Sequence, residues 1–231
     1  MSRPAKIIID LAAIKANCRL AQSIAPHSKT VAVIKADAYG HGAVEVAKAV
    51  ESQVDMFTVS CLEEALILRQ NDLKKPILLL EGCFDKTELK VAMDNQCELV
   101  VHSSAQLEQL LSVTLERPVK VWLKIDTGMH RLGILPQQVE SIYAELMASP
   151  NVKSIVLMTH FAHADDTDGA HTALQISRFK NCIQPILTNT SQQVELSMAN
   201  SAALLSWDQT RVDWNRPGIM LYGLSPFTGP M

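Results

Sequence analysis

Lys35 ends an apolar, largely β-branched run, Val31 to Ile34, and is followed at once by Tyr39, Gly40, His41 and Gly42. The stretch VAVIKADAYGHG, residues 31–42, reads as a buried strand ending at Lys35, a short loop and then a helix carrying Val44, Ala47, Lys48 and Val50. The carboxyl ends of parallel strands are where α/β folds build their sites. Burial there disfavours an ammonium ion, and a neutral amine can form a Schiff base with a carbonyl. A lone strand-end lysine is more often simply solvated. The other polar residues decide between these readings.

DTGMHRLG, residues 126–133, has two glycines just past an apolar strand, which would let Arg131 fold back over the strand ends. A guanidinium there is a fixed cation with a planar fork suited to a carboxylate or phenolate, although loops also carry arginines for solubility. In LMTHFAHADD, His160 stands at a strand end, where its ring could lie against a planar ligand. His163, Asp165, Asp166 and His171 invite a metal reading. H-x-x-H on an extended strand places its two rings on opposite faces, however, and the DDTDG run lacks the later glutamate of a calcium loop. No metal site is expected. Asn200 and Ser201 in SMANSAALL begin a short helix, beside the backbone of Gly218 and Ile219 in RPGIMLYG. Barrels often hold phosphate in that place, and a plain helix cap is the alternative for Ser201.

Strands and helices must alternate to position these groups, and they do. A short strand over Lys6 to Asp10 precedes an amphipathic helix with Leu11, Ile14, Cys18, Ala21 and Ile24 on one face. Eight further strands are expected at 31–35, 56–60, 77–80, 98–101, 119–125, 155–159, 194–197 and 218–222. Helical patterns fall near 43–51, 61–70, 86–95, 103–112, 136–148, 172–187 and 201–206. Eight β/α units in this length describe an α/β fold, a (β/α)8 TIM-type barrel spanning residues 1–231 as one domain. An open doubly wound sheet is the competing architecture. Its glycine fingerprint fails, because the third glycine position is Glu45. In VKVWLKID, Val119, Val121, Leu123 and Ile125 alternate with Lys120, Trp122, Lys124 and Asp126. The apolar set should face the surrounding helices, so Lys124 and Asp126 point into the barrel mouth; a strand protruding into solvent is the plainer alternative.

The 231 residues are 48% hydrophobic, and the net charge of −3 is too near neutrality to suggest a nucleic-acid partner. No apolar stretch approaches a membrane span, and MSRPAKIIIDL lacks a signal-peptide core. The five cysteines, Cys18, Cys61, Cys83, Cys97 and Cys182, are odd in number and scattered, which points to free thiols and a cytoplasmic setting.

A strand-end lysine, a phosphate cup and a cationic surround together describe a pyridoxal-phosphate (PLP) site. Here the chain resembles the bacterial alanine racemases: VAVIKADAYGHG, DTGMHRLG, the histidine ending the sixth strand, ANSAA and RPGIMLYG match that family's motifs in order, from IIIDL to YGLSP. The resemblance implies that Lys35 holds PLP as an aldimine and serves as one of two catalytic bases. It implies that Tyr39, Ser201 and the backbones of Gly218 and Ile219 bind the phosphate, with Asn200 adjoining. His160 would face the pyridine ring, Arg216 its nitrogen and Arg131 the phenolic oxygen. Lys124 matches a lysine often carbamylated in the family, which would give Arg131 an anionic partner. An arginine beside the ring nitrogen opposes its protonation, which favours an isomerase over a transaminase. The implied activity is interconversion of L- and D-alanine, supplying D-alanine for peptidoglycan precursors, in a homodimer. The family continues into a mainly β domain carrying the second base, and this sequence stops at LSPFTGPM. Residues 1–231 alone are therefore expected to have little or no racemase activity. A single-domain PLP-carrier protein is the alternative of a different class.

Overall fold

The computed structural model describes residues 4–166, 168–190 and 193–227; the first three residues of the opening segment and the last four of LSPFTGPM lie outside it. Eight parallel strands close into one barrel in sequence order. They are β1 Lys29–Val33, β2 Met56–Val59, β3 Ile77–Leu79, β4 Cys97–Val101, β5 Val119–Lys124, β6 Val152–Met158, β7 Glu195–Ser197 and β8 Trp214–Asn215. The ring closes where Lys29 of β1 pairs with Trp214 of β8. Helices lie between successive strands, and several start on side chains that accept their orphan amides. Asp10 caps Leu11–Ile24, Asp85 caps Lys86–Asp94 and Ser103 caps Ser104–Leu111.

The core has two layers. Val119, Val121, Leu123 and Ile125 join the layer between strands and helices. Trp122 lies in the lumen with Val31, Met56, Leu78, Val100, Val156, Met158 and Trp214. The alternation in β5 therefore points the way it reads. The amino-terminal end of the lumen is closed by charge: Lys29 and Lys120 both pair with Glu195 and lie over the Trp214 ring.

Two of the expected strands do not form. Residues 5–10 form no strand, and Ile7 and Ile8 are 91% and 87% exposed. Every barrel strand already has two neighbours, so the ring has no free edge to pair with this segment. The eighth strand is Trp214–Asn215, whereas Ile219–Tyr222 is a 3-10 turn. Gly218, at φ −122° and ψ −93°, redirects the chain, and Asn17 of the first helix then donates to the Leu221 carbonyl at 3.1 Å. A four-residue apolar run has too few positions to separate strand from turn by period.

Candidate active site

A cavity of about 550 Å³ opens at the carboxyl ends of the strands. Lys35, Tyr39, Lys124, Arg131, His160, Asn200, Ser201, Arg216, Gly218 and Ile219 all line it, so the residues that the family resemblance singles out meet in one place, whereas Asp126, His163, Asp166 and His171 do not line it. Four of its side chains are cationic, Lys35, Lys124, Arg131 and Arg216, against the carboxylates Glu81 and Asp165. That imbalance suits an anionic ligand.

β1 stops at Val33, and Lys35 begins a turn of unusual hand. Ala36, Asp37, Ala38 and Tyr39 all have φ between 50° and 54°. Left-handed geometry costs a non-glycine residue about 1–2 kcal/mol, so surrounding contacts must hold four in a row. Ala38 is fully buried and donates to the Ile34 carbonyl at 2.9 Å. The Asp37 carboxylate accepts from Ala43 at 2.7 Å, and Tyr39 packs on Tyr222 with ring centroids 5.1 Å apart. The turn brings both Lys35 and Tyr39 to the cavity wall.

Lys35 is only half-buried; the deeply buried lysine is Lys124, 7% exposed at the end of β5. Burial, then the nearby charges of Arg216, Arg131 and Lys35, lower the Lys124 pKa from 10.5 to about 8. Below about pH 8 the folded and unfolded chains both carry this proton, and the fold bears the cost of a buried cation. Between about pH 8 and 10.5 the folded lysine is neutral while the unfolded one is charged, so this group's contribution to stability rises with pH. The shift corresponds to about 3 kcal/mol. Lys124→Met should therefore be more stable than the parent at pH 7, by up to about 3 kcal/mol, and lose most of that advantage by pH 10. Urea unfolding of both proteins at the two pH values measures this; an advantage independent of pH would deny the buried cation.

Asp126 does not face the ligand space. Its Oδ1 accepts from the amides of Gly128, Met129 and His130 at 2.9–3.0 Å, folding the loop that carries Arg131. The loop returns to β5, where Ile134 donates to the Lys124 carbonyl at 2.9 Å. Gly133 makes this possible: a Cβ there would lie 2.5 Å from the Asp126 nitrogen. Arg131 itself is exposed at the cavity rim.

Arg216, 4% exposed, donates to the Thr159 and Met198 carbonyls at 2.6 and 3.2 Å and to Ser197 Oγ. Its pKa falls to about 10 by burial, which leaves it a cation at neutral pH. His160 is driven well below its ordinary pKa by burial and by the charges of Arg216, Lys124, Arg131 and Lys35, so its ring is neutral. Asn200, not Ser201, caps the helix Ser201–Ser206, its side chain accepting from Ala203 at 3.0 Å. Ser201 Oγ instead accepts from the amides of Gly218 at 2.9 Å and Met220 at 3.3 Å. At Gly218 a Cβ would stand 3.0 Å from the Tyr39 hydroxyl. Hydroxyl, amide and phenol thus crowd one wall, where any larger residue would intrude.

Three supporting residues escaped the sequence reading. Glu64 accepts from the amides of Ala36 and Ser60, Tyr222 donates to the Val33 carbonyl at 2.8 Å, and Ser197 receives Arg216. Glu64 stands in the first turn of its helix, where acidic residues are common, and no local pattern marks its partners. Among the described residues, no group of three or more His, Cys, Asp and Glu side chains could hold a metal, and His163 and His171 only meet edge to face at 4.7 Å.

Comparison with known proteins agrees with this geometry. The family described as "Alanine racemase, N-terminal domain" matches residues 9–226. The chain is 47% identical over 225 residues to an alanine racemase of Pseudomonas entomophila, covering 97% of this chain and 61% of that protein. It is 48% identical, with the same coverage, to a catabolic alanine racemase of Pseudomonas putida. The crystal structure of a biosynthetic alanine racemase from Pseudomonas aeruginosa superposes with a TM-score of 0.90 at 41% identity, covering 96% of this chain and 60% of that one. The chain spans about three-fifths of the length of these relatives. It belongs to the alanine racemase family, residues 9–226 matching that family's N-terminal domain.

Proposed function

We propose that this barrel binds PLP through Lys35 and forms the cofactor-holding domain, residues 1–231, of an isomerase that interconverts L- and D-alanine. The alanine racemase family depends on this cofactor. One observation carries the reading: the Lys35 amine, the basic side chains of Lys124, Arg131 and Arg216, and the Ser201–Gly218 wall meet in a single cavity. These residues fit the group. Tyr39, Ser201 and the backbone of Gly218 and Ile219 would hold its phosphate, with Asn200 setting the helix that presents Ser201. Arg131 would bind its phenolic oxygen, and the neutral ring of His160 would be available to face the cofactor ring. When bound, pyridoxal phosphate takes up the electron pair left at the substrate Cα as its proton departs.

Lys35 removes or returns the Cα proton on one face of the substrate, as a base must sit within hydrogen-bond reach of the proton it moves. Arg216 would serve the ring nitrogen, where its positive charge would oppose a second one and restrain reprotonation away from Cα. The low pKa of Lys124 gives it neutral amine to react with carbon dioxide, and the resulting carbamate would be an anion for Arg131. The remaining features follow the family resemblance: a homodimer in the cytoplasm supplying D-alanine. Among the described residues no helix is long and apolar enough to cross a membrane.

Residues 1–231 mixed with PLP and reduced with borohydride should carry the label on the peptide containing Lys35. Label on Lys124 or another lysine would overturn the assignment. Firm PLP binding with no exchange of an amino acid's α-proton would favour a carrier protein.

A further inference from the structure

Lys35 directly precedes the left-handed turn and Tyr39 ends it, and both reach the cavity. Most of the bonds that hold the turn are local, from Ala38 to Ile34, Gly42 to Asp37 and Ala43 to Asp37. Glu64, in the helix Leu62–Gln70, reaches it from another β/α unit. One of its carboxylate oxygens accepts from Ala36 at 2.7 Å, the amide that directly follows Lys35. The other accepts from Ser60 at 2.8 Å, just past the end of β2. A carboxylate receiving two amides is the strong, charge-assisted form of this bond. Glu64 is half-buried and does not itself line the cavity, whereas Ser60 does.

We propose that Glu64 is a positioning residue for Lys35: its carboxylate ties the amide after Lys35 to the end of β2 and so fixes where the amine enters the cavity. The inference rests on Lys35 being the cofactor lysine. Removing the tie frees the first residue of a strained turn, and a misplacement of about 1 Å at a reacting group can cost roughly 10²-fold in rate.

The test compares wild type, Glu64→Gln and Glu64→Ala in the 231-residue chain. The rate of PLP capture by borohydride is read separately at Lys35 and at exposed lysines. Hydrogen exchange at the Ala36 and Ser60 amides is read without PLP, and the urea midpoint monitors folding. Glu64→Ala should slow capture at Lys35 about 10- to 100-fold while leaving exposed lysines unchanged. Exchange at Ala36 should rise about tenfold. Glu64→Gln keeps the length but turns an NH2 group toward one of the two amides, so it should fall between. Should Glu64→Ala not fold, slowed capture by folded Glu64→Gln supports the proposal, and capture at the wild-type rate overturns it. Equal capture rates in wild type and a folded Glu64→Ala, or unchanged exchange at Ala36, also overturn it. If wild type is not labelled at Lys35, the cofactor assignment fails instead, and exchange at Ala36 still decides whether Glu64 anchors the turn.

Discussion

Residues 1–231 expressed by themselves should exchange the α-proton of one alanine enantiomer with solvent far faster than they invert either enantiomer. Inversion requires a proton removed from one face of Cα and another delivered to the opposite face. On the proposal that Lys35 is the base, the turn at the end of β1 fixes it where it can serve a single face. Loss of a positioned acid–base partner costs about 10²–10⁴-fold. The relatives extend well beyond the span this chain matches, which is 61% of the Pseudomonas entomophila enzyme. With PLP present in D₂O, proton NMR follows loss of the α-proton signal, and a chiral assay follows inversion. Exchange should lead inversion by at least about 10²-fold. Inversion that keeps pace with exchange would refute this and would place a second base in the barrel, with His160 and Tyr39 the cavity groups to test first.

Trp122→Ala should be the most damaging change to stability. The ring is fully buried in the lumen and meets Trp214 edge-on at 5.4 Å between centroids. Its Nε1 donates to Glu98 Oε2 at 2.6 Å. Burial pushes the Glu98 carboxyl above its usual pKa, and the Trp122 bond opposes that rise. Truncation therefore opens a cavity and also strips a half-buried carboxyl of its donor. Aromatic-to-alanine changes in cores cost about 3–5 kcal/mol, against a typical total of about 5–15 kcal/mol. Trp122→Phe keeps most of the ring volume and loses mainly the hydrogen bond, so its cost should lie nearer about 1–3 kcal/mol. Urea unfolding followed by circular dichroism separates the two; equal losses would show that ring volume is not what holds the lumen together.

What the sequence determined by itself was local and periodic. The two-residue alternation in β5 put Val119, Val121 and Leu123 under the helices and Trp122 in the lumen, because side chains on a strand can only alternate. Motifs that end strands put Lys35, His160 and Ser201 at one rim, because parallel strands in a closed barrel all end on the same side. Tertiary structure decided the rest. The GIMLY run became a turn rather than a strand, since β8 is already formed by Trp214–Asn215. Residues 36–39 took left-handed geometry that no alanine prefers, because Glu64 and Tyr222 supply contacts from outside the turn and the Asp37 carboxylate ties it to the following helix. The strongly desolvated lysine proved to be Lys124, although Lys35 carries the more conspicuous motif. Desolvation and the field of several converging cations are sums over groups distant in sequence, here Lys35, Arg131 and Arg216, and only the closed barrel brings them to one amine.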